Sequence, residues 1–284
     1  MGLRQEVFHL AVDGGQRLCI WRAPGHGSLR GVIVHVPAFA EEMNKCRPMV
    51  ALAARRLAAS GFGVLEIDLL GCGDSTGDFA DASFDAWIDD IVAAVRWVRG
   101  RDDAALWLWG VRAGALLAAA ATRHLAEAAS VLLWQPVLSG RVMLSQFLRL
   151  KLAADALAGD GARAGTRQLR AELARGTPVD IAGYRLTPAL AAGIEASALA
   201  FAPTVRRVEW LEVSGAAQPV LGPAALAAVA TLSNGGMPVH ATVVGGPGFW
   251  QTVEIEMCPM LVDATVTALM ESPHDGVPRD TVLR

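Results

Sequence analysis

The spacing of apolar positions changes period several times along the chain, and each change marks an element. Val7–Val12 and Arg17–Trp21 flank Asp13-Gly14-Gly15-Gln16, which predicts an opening β-hairpin. Gly31-Val32-Ile33-Val34-His35-Val36-Pro37 is a short apolar, β-branched run and predicts a central strand that stops at the proline. A polar loop with Glu41, Glu42, Asn44 and Lys45 follows, then a helix from Arg47 to Ala59 ended by Gly61. Gly63–Ile67 predicts the next strand and leads into a glycine-rich loop, Asp68 to Gly77. Phe84, Trp87, Ile88, Ile91, Val95 and Val98 recur at helical spacing. Leu106–Trp109 predicts a buried strand, Ala113–Leu125 an alanine-rich helix, and Ser130–Trp134 another strand closed by Gln135-Pro136.

Strands alternating with helices at this interval predict an α/β fold built on a mostly parallel, doubly wound sheet. The rhythm breaks across residues 140–205, a helical stretch rich in arginine and alanine with no convincing strand. It resumes with Val208–Val213, a helix from Pro223 to about Leu232, Val239–Val244, and a last helix from about Cys258 to Met270. Residues 1–139 and 206–284 thus read as one core, 140–205 as a helical cap inserted into it, and the tail after Pro273 as frayed.

Composition narrows the function classes. Of 284 residues, 53% are hydrophobic and 19% charged, enough for a sizeable core. A net charge of −3 with scattered basic residues gives no nucleic-acid footprint. Cys19, Cys46, Cys72 and Cys258 form no CxxC pair, which weakens zinc and thioredoxin-like readings, and Gly71-Cys72-Gly73 is too short and misplaced for a dinucleotide fingerprint, so neither a metal nor a cofactor is expected. Free thiols, an N-terminus without an apolar signal region, and no apolar run of spanning length point to a cytoplasmic protein without a transmembrane segment.

The chemistry-bearing segment is Leu106-Trp107-Leu108-Trp109-Gly110-Val111-Arg112-Ala113-Gly114, a strand, a sharp turn and a helix start. This is the context of the G-x-S-x-G nucleophile elbow, but here the pattern is G-x-R-x-G. A guanidinium stays protonated and cannot attack a carbonyl. A triad would also need an acid after Val208–Val213 and a histidine after Val239–Val244. Ser214-Gly215-Ala216-Ala217 offers no carboxylate, Glu212 being the nearest, and Gly245 to Thr252 holds no histidine. His35 reads as a core or strand-end residue, His240 lies within a strand, and His274 lies beyond the last helix.

Five stretches carry a family resemblance. They are Pro37-Ala38-Phe39-Ala40-Glu41-Glu42-Met43-Asn44-Lys45, Asp68-Leu69-Leu70-Gly71-Cys72-Gly73-Asp74-Ser75, Trp107-Leu108-Trp109-Gly110-Val111-Arg112, Trp134-Gln135-Pro136-Val137 and Phe249-Trp250-Gln251-Thr252. Over almost the whole length the order of elements resembles the α/β-hydrolase fold. More narrowly, these stretches resemble the second hydrolase family associated with the exosortase A system, of bacteria that make exopolysaccharide and sort proteins by a PEP-type C-terminal signal. The resemblance implies a hydrolase-like scaffold with arginine as a regular feature of the elbow.

The residues leave several roles open for Arg112. It pairs internally with Glu41 or Glu42, or it grips a ligand carboxylate or phosphate through its planar fork, helped by the helix N-terminus. Glu41 and Glu42 read as solvated helix-start acids or, in a genuine hydrolase, as the base that activates water while Arg112 steadies the oxyanion. The expected ligand is a small anionic, acyl or sugar molecule, with Phe39, Glu41, Glu42, Asp74, Trp109, Arg112, Gln135 and Trp250 as candidate contacts. Asp74 and Ser75 also have a structural reading, Cys72 is an alternative nucleophile, and Trp109, Trp134 and Trp250 serve either the core or an aromatic pocket. A third expectation is an interaction subunit docking a protein partner through the cap, where Phe147, Leu148, Leu150 and Leu152 lie among arginines.

Overall fold

A computed structural model describes residues 2–158 and 165–271. Its centre is an eight-stranded sheet in the order β1-β2-β4-β3-β5-β6-β9-β10. Strands β1 (Leu3–Val12) and β2 (Gly15–Pro24) form the expected hairpin, β1 longer at its start and β2 longer at both ends than the alternation suggested. Strand β2 runs antiparallel to β4 (Phe62–Ile67), and the remaining pairs are parallel. Strands β3 (Gly31–Val36), β5 (Leu106–Val111) and β6 (Ser130–Trp134) are buried throughout, which explains their unalternating apolar sequences. Strands β9 (Val208–Ser214) and β10 (Val239–Gly245) complete the sheet.

Helices α1 (Glu41–Ala59) and α8 (Pro259–Met270) cover one face. Helices α2 (Phe84–Arg99), α3 (Gly114–Ala121) and α7 (Pro223–Asn234) cover the other. Helix α1 begins six residues before the expected Arg47, so the supposed polar loop is its first turns. Glu41 and Glu42 lie in that first turn, where the helix dipole favours acids. Helix α3 gives way to a short 3-10 turn, Thr122–His124, before the predicted end at Leu125.

The insertion holds α4 (Gly140–Ala158), α5 (Thr166–Ala174) and α6 (Pro188–Ala196), and also a small hairpin of β7 (Val179–Ile181) and β8 (Tyr184–Leu186). The expectation of no strand there is therefore corrected. Each strand has only three residues, too few to show a period, and the turn is made by Ala182 and Gly183 with φ of 48° and 86°. The expected frayed tail and His274 lie outside the described residues. No helix among the described residues is long and apolar enough to cross a membrane.

Candidate functional site

The site forms where β3, β5 and β6 end and α1 and α3 begin. Gly110 and Gly114 bracket the elbow for steric reasons. A Cβ on Gly110 would come within 2.7 Å of the Ala115 Cα, and one on Gly114 would collide with the carbonyls of Val36 and Pro37. Arg112 occupies the tip with φ of 54°, a left-handed conformation costly for a residue with a side chain. Its amide donates to the Trp134 carbonyl at 2.9 Å, and its own carbonyl accepts from the Val137 amide at 3.1 Å. Ala40 (φ 50°) and Gln135 (φ 43°) adopt similar strain beside it. Such backbone costs on the order of 1–3 kcal/mol per residue and persists only where the surroundings enforce it.

Each nitrogen of the Arg112 guanidinium donates one hydrogen bond. Its Nε and Nη2 donate to Glu42 Oε2 and Oε1 at 3.2 and 3.0 Å, and its Nη1 donates to the Gln135 carbonyl at 3.1 Å. The Trp250 ring lies 5.0 Å from its central carbon. The arginine side chain is 17% exposed and that of Glu42 32%. Of the two pairing partners that the sequence left open, Glu42 is the one used, while Glu41 stands exposed on the first turn of α1. Gln135 adds a further tie by accepting from the Val213 amide at 2.8 Å.

The triad positions are empty of triad chemistry. Glu212 lies within β9, is buried, and accepts from Trp210 Nε1 at 2.8 Å. Burial raises its carboxyl above the ordinary range, against the pull of the Trp210 hydrogen bond and the Arg112 charge. His240 lies in β10 and contacts Glu209 at 3.2 Å. His35 is buried on β3, and burial together with the Arg47 charge lowers its imidazole to about 3. Among the described residues no imidazole is hydrogen-bonded to Arg112, Glu42 or Glu212. Cys72, the alternative nucleophile, has a thiol pushed up to about 12, first by burial and then by Asp68. It is a neutral thiol at ordinary pH and a poor attacking group.

Beside the elbow, between core and cap, lies a pocket of about 20 Å³. Its lining includes Ala113 and Gly114 at the helix start, Phe39 and Ala40 before α1, and Trp87 and Met143 from α2 and the cap. Its lining is almost wholly apolar. Phe39 meets Trp87 and Phe147 edge-on with ring centres 6.0 and 4.9 Å apart. The space is close to that of a single water, so side chains nearly fill it.

Arg112, Glu42, Gln135 and Trp250 thus come together, and Phe39 joins through the pocket. Trp109 is fully buried in the core, edge-on to Trp134 at 4.7 Å and to His35 at 5.0 Å. Asp74 is exposed on the glycine-rich loop, and its amide points at Asp68 Oδ2 from 3.4 Å. Ser75 is a loop staple, donating to the Asp68 carbonyl at 2.6 Å and accepting from the Leu18 amide at 2.9 Å. Sequence reasoning missed the pocket walls Phe84, Trp87, Met143 and Ile194. Phe84 and Trp87 were visible as the apolar stripe of α2, but nothing in that stripe says that it faces a cap rather than the sheet.

Residues 27–162 match the family model described as Hydrolase_4, serine aminopeptidase, S33. No curated protein sequence matches significantly. Among solved structures, the chain is similar to a highly thermostable carboxyl esterase from Bacillus coagulans in complex with glycerol, at TM-score 0.63 and 14% identity, covering 95% of this chain and 99% of that one. It is similar to Est1E from Butyrivibrio proteoclasticus with ferulic acid bound, at TM-score 0.61 and 16% identity, covering 93% and 98%. Fungal esterases from Rhizomucor miehei give a TM-score of 0.59 at 16% identity, covering 95% and 84%. At such identities the likeness speaks for architecture alone, and with the strand order and the elbow it shows that this chain has the α/β-hydrolase fold.

Proposed function

We propose that the protein is a pseudo-hydrolase, a binding protein on a hydrolase scaffold, with the cap–core pocket beside Arg112 as its ligand site. The observation that carries this reading is the closed bidentate pair of Arg112 and Glu42 at the position of the attacking group. An arginine there supplies no nucleophile, and an arginine already holding a carboxylate and a carbonyl is a poor anchor for a ligand anion. The apolar lining instead favours the acyl end of the expected ligand range. Filling the pocket requires side chains such as Met143 to swing aside, which an unbranched thioether does at little cost. The setting we infer, a cytoplasmic step beside exopolysaccharide production in an exosortase A system, rests on the five sequence stretches described above.

A genuine hydrolase using glutamate-activated water is the rival. Glu42 is an unsuitable base while both its oxygens accept from Arg112, and Glu41 lies exposed. A second reading has its own observation. Val142, Leu150 and Leu157 are exposed on one side of α4, which supports docking of a protein partner through the cap, while Phe147 and Leu148 are buried.

The test combines turnover with binding. A panel of short acyl esters and thioesters should show no turnover, whereas acyl amides of graded chain length should bind by calorimetry with a preference that lengthens in Met143→Ala. Turnover by the wild type that disappears in Arg112→Ala would refute the binding role. Loss of that turnover in Glu41→Gln or Glu42→Gln, but not in both, would install the rival mechanism.

A further inference from the structure

The opening hairpin leaves β1 at one edge of the sheet, with β2 on its inner side and no strand among the described residues on the other. It is 10 residues long, pairs with β2 without a bulge, and contains neither proline nor lysine. Open edges of that length invite further pairing, and folded chains ordinarily blunt them with those devices. The groups that point outward can be identified. The Gly2 carbonyl accepts from the Gly25 amide at 2.9 Å, and Pro24, which has no amide hydrogen, stands opposite Leu3. Even-numbered residues of β1 therefore bond to β2, and the N–H and C=O groups of Leu3, Gln5, Val7, His9 and Ala11 face the open side.

The side chains of the same segment are self-complementary. Leu3 and Val7, on one face, are 43% and 60% exposed. On the other face, Phe8 stacks on Trp97 with ring centres 4.5 Å apart, beside Arg4 and Glu6. A second copy related by a two-fold axis runs antiparallel to the first, and the position of the axis sets which residues oppose one another. With the axis at Gln5, Arg4 of each copy meets Glu6 of the other, and Leu3 meets Val7. An axis at Arg4 or at Glu6 sets like charges opposite each other, which is destabilising. An axis at Val7 sets Glu6 against Phe8 and Arg4 against Leu10. Within one chain Arg4 already reaches Glu6 at 2.6 Å, and Arg101 reaches the second Glu6 oxygen at 3.1 Å. In the Gln5-centred register the Arg4–Glu6 pairs of two copies combine into one alternating cluster.

We propose that β1 pairs with β1 of a second copy of this chain, antiparallel and centred on Gln5, so that two sheets join into one. Leu3, Gln5 and Val7 of both copies then exchange backbone hydrogen bonds across the axis. Gly2 falls opposite Phe8 and, having no side chain, leaves room for the ring that Trp97 holds. A contact confined to Gly2–Phe8 and its flanks lies at the small end of interface sizes, so the dimer is reversible and forms in the micromolar range. Strands β2, β4 and β3 separate it from β5, so it is independent of the pocket beside Arg112.

The test is sedimentation equilibrium of the full chain over micromolar concentrations, where a monomer–dimer equilibrium is expected. Arg4→Glu and Glu6→Arg should each weaken it by about tenfold or more, and an equimolar mixture of the two should dimerise again, because each then opposes the other's charges. Val7→Pro removes an outward N–H, leaves the bonds to β2 intact, and should abolish pairing. Gln5→Cys should form an intermolecular disulfide on mild oxidation, since directly opposed Cα atoms lie about 5.5 Å apart in such a pair. Val7→Cys, opposite Leu3, should not. A wild type that stays monomeric throughout, or a dimer that survives Val7→Pro, would overturn the proposal. Should Val7→Pro disturb the hairpin, the mixture decides, and failure to recover the dimer there would overturn it equally.

Discussion

The two cavities that share the Pro37–Ala38 wall are opposites. In the pocket by the elbow the walls are apolar and the space is about 20 Å³, and beside it each guanidinium nitrogen of Arg112 donates a hydrogen bond within the protein. Behind it the walls are mixed, the space is about 130 Å³, and a buried nitrogen is left without a partner. The elbow retains the strand-turn-helix shape with an arginine in place of a hydroxyl at its tip. The rear cavity, between β2, β3, β4 and α1, is lined by Arg22, His35, Arg47, Glu66 and Asp68 as well as by aliphatic side chains. Shape at one place and hydrogen-bonding capacity at another are separable properties of the same scaffold.

The largest effect that sharpens this contrast is steric. Gly114→Ala puts a methyl group against the Val36 and Pro37 carbonyls, and should cost about 3 kcal/mol in urea unfolding. A loss under about 1 kcal/mol would mean that the elbow is not held as tightly as its geometry indicates.

Next comes the ion pair. Arg112→Ala leaves Glu42 facing a gap and removes the packing on Trp250. Both side chains are partly exposed, so the expected loss is about 2 kcal/mol, between a surface pair and a buried one. A double-mutant cycle with Glu42→Ala should return a coupling of about 1 kcal/mol or more. A coupling near zero would say that the arginine is free to meet a ligand.

The rear cavity makes a pH-dependent prediction. Folding lowers His35 from 6.5 to about 3, so below pH 6.5 the unfolded chain takes up a proton that the folded chain refuses. Stability contributed by the neutral imidazole is therefore complete above pH 6.5 and falls as pH is lowered toward 3. The slope attributable to this residue is about 1.4 kcal/mol per pH unit at most. Comparing urea midpoints of the wild type and His35→Leu at pH 7 and pH 5 isolates it from every contribution common to the two proteins. Equal slopes in the two proteins would place His35 in contact with water.

The smallest effect tests the elbow side once more. With a thiol at about 12, Cys72 should resist iodoacetamide at pH 8 while the chain is folded and react once it is unfolded. Rapid alkylation of the folded protein would reopen Cys72 as a nucleophile.

Much of this was readable in one dimension. The parallel strands β3, β5 and β6 announced themselves as unbroken apolar runs because both their faces are buried, and α2 announced itself by its stripe. The missing hydroxyl at residue 112 and the missing histidine after β10 needed no coordinates, since the chemical identity of a residue does not depend on the fold. The start of α1 and the cap hairpin were not readable. In the first case a run of polar residues was stabilised as helix by the dipole and by the hold of Arg112 on Glu42. In the second, strands of three residues carry no period.

What the sequence determined by itself was the architecture and the absence of a hydroxyl at position 112, because local periodicity and residue type are properties of the chain. Only the tertiary structure decided that Arg112 takes Glu42 rather than Glu41, that Trp109 is core while Trp250 covers the guanidinium, and that His35 faces an open cavity. Those outcomes depend on which groups far apart in the chain arrive within hydrogen-bonding distance and which spaces remain when helices have packed, and a linear pattern carries neither quantity.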